Sequence, residues 1–202
     1  MENQEPASRV EDLELCAKCG GRCCKTSPGR FAPSDFQGSQ GFEPTGIEAL
    51  LDKGSASIVV GFVSALNSPL APIFMVKHRG RGKGELEFFC GDVECNVLTP
   101  QGCPHSLDER PFECAAIVPS SGNCILPDDL QMEDLWAPYQ SFLRVLIANR
   151  AGCDWTEEFN RQLADKRTTS PFKREVQELI KKFGLTTSIA EISLIADIAR
   201  NM

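Results

Sequence analysis

The sequence predicts an α+β fold in which a small, irregular, cysteine-rich core carrying a β-hairpin is followed by a C-terminal helical region. Three observations lead there. Eight of the ten cysteines fall in two groups, at 16–24 and 90–114. Pro100, Pro104, Pro111, Pro119 and Pro127 interrupt any period between 96 and 127, so that stretch reads as loop. Beyond it, apolar residues recur at helical spacing almost to the end of the chain. The expected organisation is a cysteine-rich domain over 1–125 with a helical region over 126–202 packed on it.

Taken in order, Ser34 in "FAPSDF" is expected to cap a short turn, and "GIEALLDKG" (46–54) has the spacing and terminal Gly54 of a brief helix. "SASIVVGFVSAL" is rich in β-branched residues and short enough for a strand. "APIFMVKH" and "ELEFFC" flank the turn-forming "RGRGKG", which predicts a β-hairpin ending at Cys90. "DDLQMEDLWAPYQSFLRVLIANRAG" opens with capping aspartates and stops at Gly152, with Pro138 in its first turns or at a kink. "DWTEEFNRQLADK" is a second helix. "SPFKREVQELIKKFG" is a third, with Ser170 as cap, Pro171 in the first turn and Gly184 as stop, and "TSIAEISLIADIARN" is a fourth.

With 202 residues, 42% of them hydrophobic, the chain can bury a core without covalent staples. Its polar, acidic opening lacks the basic start and apolar run of a secretory signal, and no stretch reaches the ~18–20 apolar residues that cross a bilayer. The expectation is a soluble cytoplasmic protein without a membrane partner. With 28 acidic against 21 basic residues the net charge is -7, and no long basic run is present, so a nucleic-acid partner is not expected. A reducing cytosol keeps cysteines as thiols unless a metal or a redox reaction claims them, which disfavours a disulfide framework.

The spacing of the thiols points to metal. Several thiolates are the natural donors for zinc or an iron–sulfur cluster, and Cys16 and Cys19 form a C-x-x-C pair on one short turn. Gly20 and Gly21 permit the sharp path that brings Cys23 round to the same centre. Lys18, Arg22 and Lys25 favour ionised sulfur. Adjacent residues on an extended backbone point apart, so Cys23 and Cys24 are not expected to share one ion. Completing a site requires the second group, where Cys95, Cys103 and Cys114 follow the hairpin, Arg110 can offset thiolate charge and Pro111 fixes the approach to Cys114. Closing so long a loop costs only a few kcal/mol, against ~10 kcal/mol or more for thiolate–zinc binding.

These residues resemble the zinc- or iron-chelating domain family named for its C-x-x-C-x-x-x-C-C signature. Cys16, Cys19, Cys23 and Cys24 match that signature, and Cys95 with Leu98, then Cys103, then Arg110-Pro111 and Cys114 follow the order of the family's downstream region. The resemblance spans roughly 13–118 and leaves the C-terminal helices aside. "PHSLDE", between Cys103 and Arg110, departs from it by one added residue and a missing aromatic. The resemblance implies metal ligation, with zinc or iron open and no substrate named.

The expected ligands are therefore Cys16, Cys19, Cys23, Cys24, Cys95, Cys103 and Cys114. Cys90, at the end of an apolar strand, is balanced between ligand and core residue, while Cys124 and Cys153 read as structural. His105, in the loop between Cys103 and Arg110, could be a ligand but reads rather as a solvated loop histidine, and His78 reads as an ordinary strand residue. "RGRGKG" lacks the strand-to-helix context of a phosphate loop. The function expected is a metal-binding accessory or interaction protein holding zinc or an iron–sulfur cluster, with a protein partner met through the C-terminal helices. An iron–sulfur redox or catalytic protein is the alternative. A zinc hydrolase, with Asp108 or Glu109 as base, is disfavoured because all-thiolate sites are usually closed.

Overall fold

The computed structural model describes residues 18–65, 68–89, 93–100, 102–117, 131–167 and 170–182. The chain runs through helix α1 (Arg22–Thr26), a 3-10 turn (Pro33–Phe36), strands β1 (Gln37–Gly38) and β2 (Gly41–Phe42), helix α2 (Thr45–Asp52), and strands β3 (Ala56–Ala65) and β4 (Ser68–His78). A 3-10 turn (Leu107–Glu109) and helices α3 (Phe112–Ala116), α4 (Met132–Trp136), α5 (Gln140–Ala151), α6 (Trp155–Ala164) and α7 (Pro171–Lys182) follow. Two small antiparallel sheets and a C-terminal helical region make the fold α+β. No helix among the described residues is long and apolar enough to cross a membrane.

The main hairpin forms one element earlier than the sequence suggests. β3 pairs with β4 from Ala56↔His78 to Val63↔Ala71, with an irregularity between Val63 and Ala65. Pro72 is tolerated in β4 because it lies in phase with Phe74, Val76 and His78, whose backbone groups bond outward to Gln140, Phe31 and Gly29 and not to β3. The described residues of the expected second strand, "ELEFFC", make a parallel bridge to β3: the Ile58 N–H donates to Glu85 O at 2.7 Å and the Glu87 N–H to Ile58 O at 2.9 Å. The glycine-rich stretch is not the turn of a hairpin. Its Arg79 donates to the Ala56 and Leu51 carbonyls at 2.9 and 3.2 Å and its Arg81 to the Leu98 carbonyl at 2.8 Å, so these guanidinium groups pin backbone. Cys90 lies outside the described residues.

The core gathers around the hairpin. Residues 72–78 of β4 are all buried, because α4 and α5 pack over the strand while Phe31 and the 3-10 turn close in from the other segment. Trp136, fully buried, donates its indole N–H to the Phe31 carbonyl at 2.7 Å. Gln140 substitutes for a neighbouring strand: its Oε1 accepts the Phe74 N–H at 2.8 Å and its Nε2 donates to the Phe74 and Trp136 carbonyls, both at 2.9 Å. Replacing Gln140 by Leu leaves a buried backbone pair unsatisfied. We expect it to cost about 2–3 kcal/mol in urea unfolding and to speed hydrogen exchange at the Phe74 amide.

Several helix signals hold and two shift. Asp154 Oδ1 accepts the Thr156 N–H at 2.8 Å at the start of α6, Ser170 Oγ accepts the Lys173 N–H at 3.0 Å at the start of α7, and Gly152 ends α5 with φ 68°. Pro138 sits in a 3-10 turn (Ala137–Tyr139) that splits the expected long helix into α4 and α5. At the first 3-10 turn Asp35, not Ser34, makes the local bond. Its Oδ2 takes the Ala32 N–H at 2.9 Å and the Phe112 N–H at 2.8 Å, which fastens α3 to this turn. The capping aspartates, Gly184 and the fourth expected helix lie outside the described residues.

Candidate metal centre

The two cysteine groups meet because their backbones are bonded together. Gly20 and Gly21, with φ 63° and 74°, turn the chain into α1 through a conformation that other residues rarely adopt. A Cβ on Gly21 would stand 2.8 Å from Leu98 Cδ1, so the glycine of the first motif is the seat for the leucine of the second. Just beyond, the Cys95 N–H donates to Cys24 O at 2.7 Å and the Val93 N–H to Thr26 O at 3.2 Å. A third piece arrives with α3, where the Glu113 carboxylate accepts the Arg30 backbone N–H at 2.6 Å and its guanidinium at 2.7 and 3.0 Å. Arg30 also reaches Glu133 at 3.2 Å. This clamp presses Gly29 against Cys114 so closely that a Cβ on the glycine would lie 1.9 Å from Cys114 Sγ.

Five thiols come within electrostatic reach of one another: Cys23, Cys24, Cys95, Cys103 and Cys114. The Cys23 and Cys24 sulfurs are 3.9 Å apart. Helix α1 winds the backbone there, so the divergence expected of an extended stretch does not occur, and the spacing is close to the roughly 3.8 Å of two sulfurs on one tetrahedral zinc. The Cys24 thiol is hydrogen-bonded to both Cys103 and Cys23 and holds its proton strongly. That shared proton lowers Cys103 to about 5 and Cys23 to about 6, with Arg110 and the His105 backbone N–H also favouring the Cys103 thiolate. Burial pushes Cys114 up to about 12 and raises Cys95 as well. Without a cation the cluster ionises in part, since each further thiolate repels those already formed.

Cys19 takes the Arg22 N–H on its sulfur at 3.4 Å. Cys16 and Cys124 lie outside the described residues. Cys153, on the turn before α6, has Glu157, Glu158 and Arg161 as its charged neighbours. Cys114 stands on a helix within the stretch that reads as loop. Glu109 is exposed and caps its own turn, accepting the Ser106 N–H at 3.0 Å and hydroxyl at 2.8 Å; those bonds hold its carboxyl below the usual range and make it a weak base.

The histidines are the residues that sequence reasoning set aside. His105 is half-buried, not solvated, and its ring lies parallel to that of His78 at 5.6 Å between centroids. His78 is buried, its Nδ1 lies 3.3 Å from the Ser55 carbonyl, and burial holds it below the ordinary imidazole value. Because a carbonyl only accepts, Nδ1 carries the proton and Nε2 presents a lone pair. Both Nε2 atoms are buried without a hydrogen-bond partner. The available signal was number: these are the chain's two histidines, and one lies two residues after Cys103.

A soft or borderline ion suits this donor set of clustered thiols and orphaned imidazole nitrogens. Among the described residues no three Cys, His, Asp or Glu side chains close around a point that would hold an ion; the thiol contacts run from Cys23 to Cys24 to Cys103. Compared with protein-family models, curated proteins and solved structures, the chain matches none.

Proposed function

We propose that this protein binds a metal through the cysteines of its two motifs, as a cytoplasmic accessory or interaction protein carrying zinc or an iron–sulfur cluster. The observation that carries the reading is the contact between Cys24 and Cys103, delivered by segments whose backbones are joined through the Cys95 N–H and the Cys24 carbonyl. A protein that needed these residues only as small hydrophobes would not gather five thiols where each thiolate, once formed, repels the next. A divalent ion removes that repulsion, and the shared proton leaves as it binds. The resemblance to the zinc- or iron-chelating domain family agrees in residue types and in order. With its carboxylate occupied, Glu109 gives the hydrolytic alternative little support.

Anaerobic purification followed by an absorption spectrum and by metal and sulfide analysis tests the reading. Bound metal at one or two equivalents is expected, and broad visible absorbance with iron and sulfide would select the cluster over zinc. Cys103→Ser is expected to lose most of that metal and part of the folding energy, whereas Cys153→Ser retains both. Equal metal content in the two variants, or a wild-type protein that takes up none, would overturn the assignment.

A further inference from the structure

The histidine pair extends this reading, on which the inference rests, from the class of metal to the composition of its ligand shell. Buried polar atoms are nearly always hydrogen-bonded, so two orphaned imidazole nitrogens side by side call for a specific cause. Each member of the pair is tied to a thiol through the backbone. The His105 backbone N–H bonds the Cys103 sulfur, so Cys103-Pro104-His105 wraps a thiolate and an imidazole in one tight loop. The His78 N–H donates at 2.9 Å to the carbonyl of Gly29, the residue seated on Cys114.

We propose that the centre is a mixed sulfur–nitrogen one, in which His105 Nε2 joins the thiolates as a ligand and His78 holds the His105 ring in place by stacking on it. The 8° angle between the rings leaves room for one histidine ligand and not two: lone pairs lie in the ring planes, and stacked parallel rings do not aim theirs at one point. His105 shares its loop with a thiol, whereas His78 is fixed in β4 by its Nδ1 bond to Ser55 O and by the Phe31 ring at 4.9 Å. The Nδ1 bond fixes the His78 ring as the surface on which His105 stacks. A neutral nitrogen also lightens the charge of a half-buried site: three thiolates and an imidazole around a divalent ion carry one negative charge, four thiolates carry two.

Full-length protein stripped of metal and loaded with Zn2+ alone provides the test, with zinc-edge X-ray absorption to count neighbours. The wild type is expected to show sulfur at about 2.3 Å and one nitrogen at about 2.0–2.1 Å. His105→Ala should lose the nitrogen and bind Zn2+ at least about tenfold more weakly. His105→Cys should restore affinity with one more sulfur. His78→Ala should weaken binding while keeping the nitrogen, and His78→Phe, which preserves a stacking ring, should recover it. An all-sulfur shell in the wild type sinks this inference and leaves the cysteine centre standing. Nitrogen that persists in His105→Ala overturns the choice of residue, and failure to bind Zn2+ removes both readings.

Discussion

Trp136→Ala is expected to lower the unfolding free energy by about 4–6 kcal/mol, enough to unfold most domains of this size. Two losses add. Removing a fully buried indole opens a large cavity among Phe36, Phe42 and Tyr139, whose ring centroids lie 6.1 to 6.4 Å away. The Phe31 carbonyl also loses its 2.7 Å donor in a place that water does not reach. Urea denaturation followed by far-ultraviolet circular dichroism reads the effect. Because Phe31 follows directly on Arg30, metal content should fall with the fold; a loss below about 2 kcal/mol would show that the aromatic cluster relaxes around the gap.

Gly29→Ala should cost less stability but strike the cysteine cluster directly. Its new methyl group would sit 1.9 Å from Cys114 Sγ and 3.4 Å from the Cys114 backbone nitrogen, so either the thiol swings out of the cluster or α3 moves. We expect a cost of about 2–3 kcal/mol and a marked drop in bound metal. The double variant Gly29→Ala/Cys114→Ala separates the causes. Deleting the sulfur removes the clash, so stability should largely return, and the two changes should be strongly coupled in a mutant cycle. Metal should not return. Additive losses in the double variant would refute the close packing of glycine on thiol.

What could be read from the sequence was whatever rests on local chemistry. Asp154, Ser170 and Gly152 act where their side chains or backbone freedom act in any helix, and Gly20 and Gly21 take the left-handed conformations that the turn after Cys19 demands. The hairpin was displaced because "RGRGKG" carries the stronger turn composition, while its arginines in fact bond to carbonyls of α2, β3 and the Cys95 loop. Such pairings depend on tertiary position, which no short window encodes. Cys23 and Cys24 were expected to diverge on the assumption of extended backbone, and one turn of helix brings their sulfurs to 3.9 Å. Neither the His78–His105 stack nor the seat of Gly29 on Cys114 has a periodic signal. Each joins residues far apart in the chain, and each is visible only once the hairpin, the cysteine loop and α3 are assembled.

The bond from the Cys95 amide to the Cys24 carbonyl also has a consequence in time. During synthesis the opening cysteines leave the ribosome first, and at typical elongation speeds the stretch up to Cys103 takes roughly 4–16 s more to appear. Throughout that interval the nascent chain carries reactive sulfur with no finished pocket to shelter it. On the proposed reading, loading with metal would then be a late event in the life of each new molecule, and an oxidising insult would be most harmful before the second cysteine group has been made.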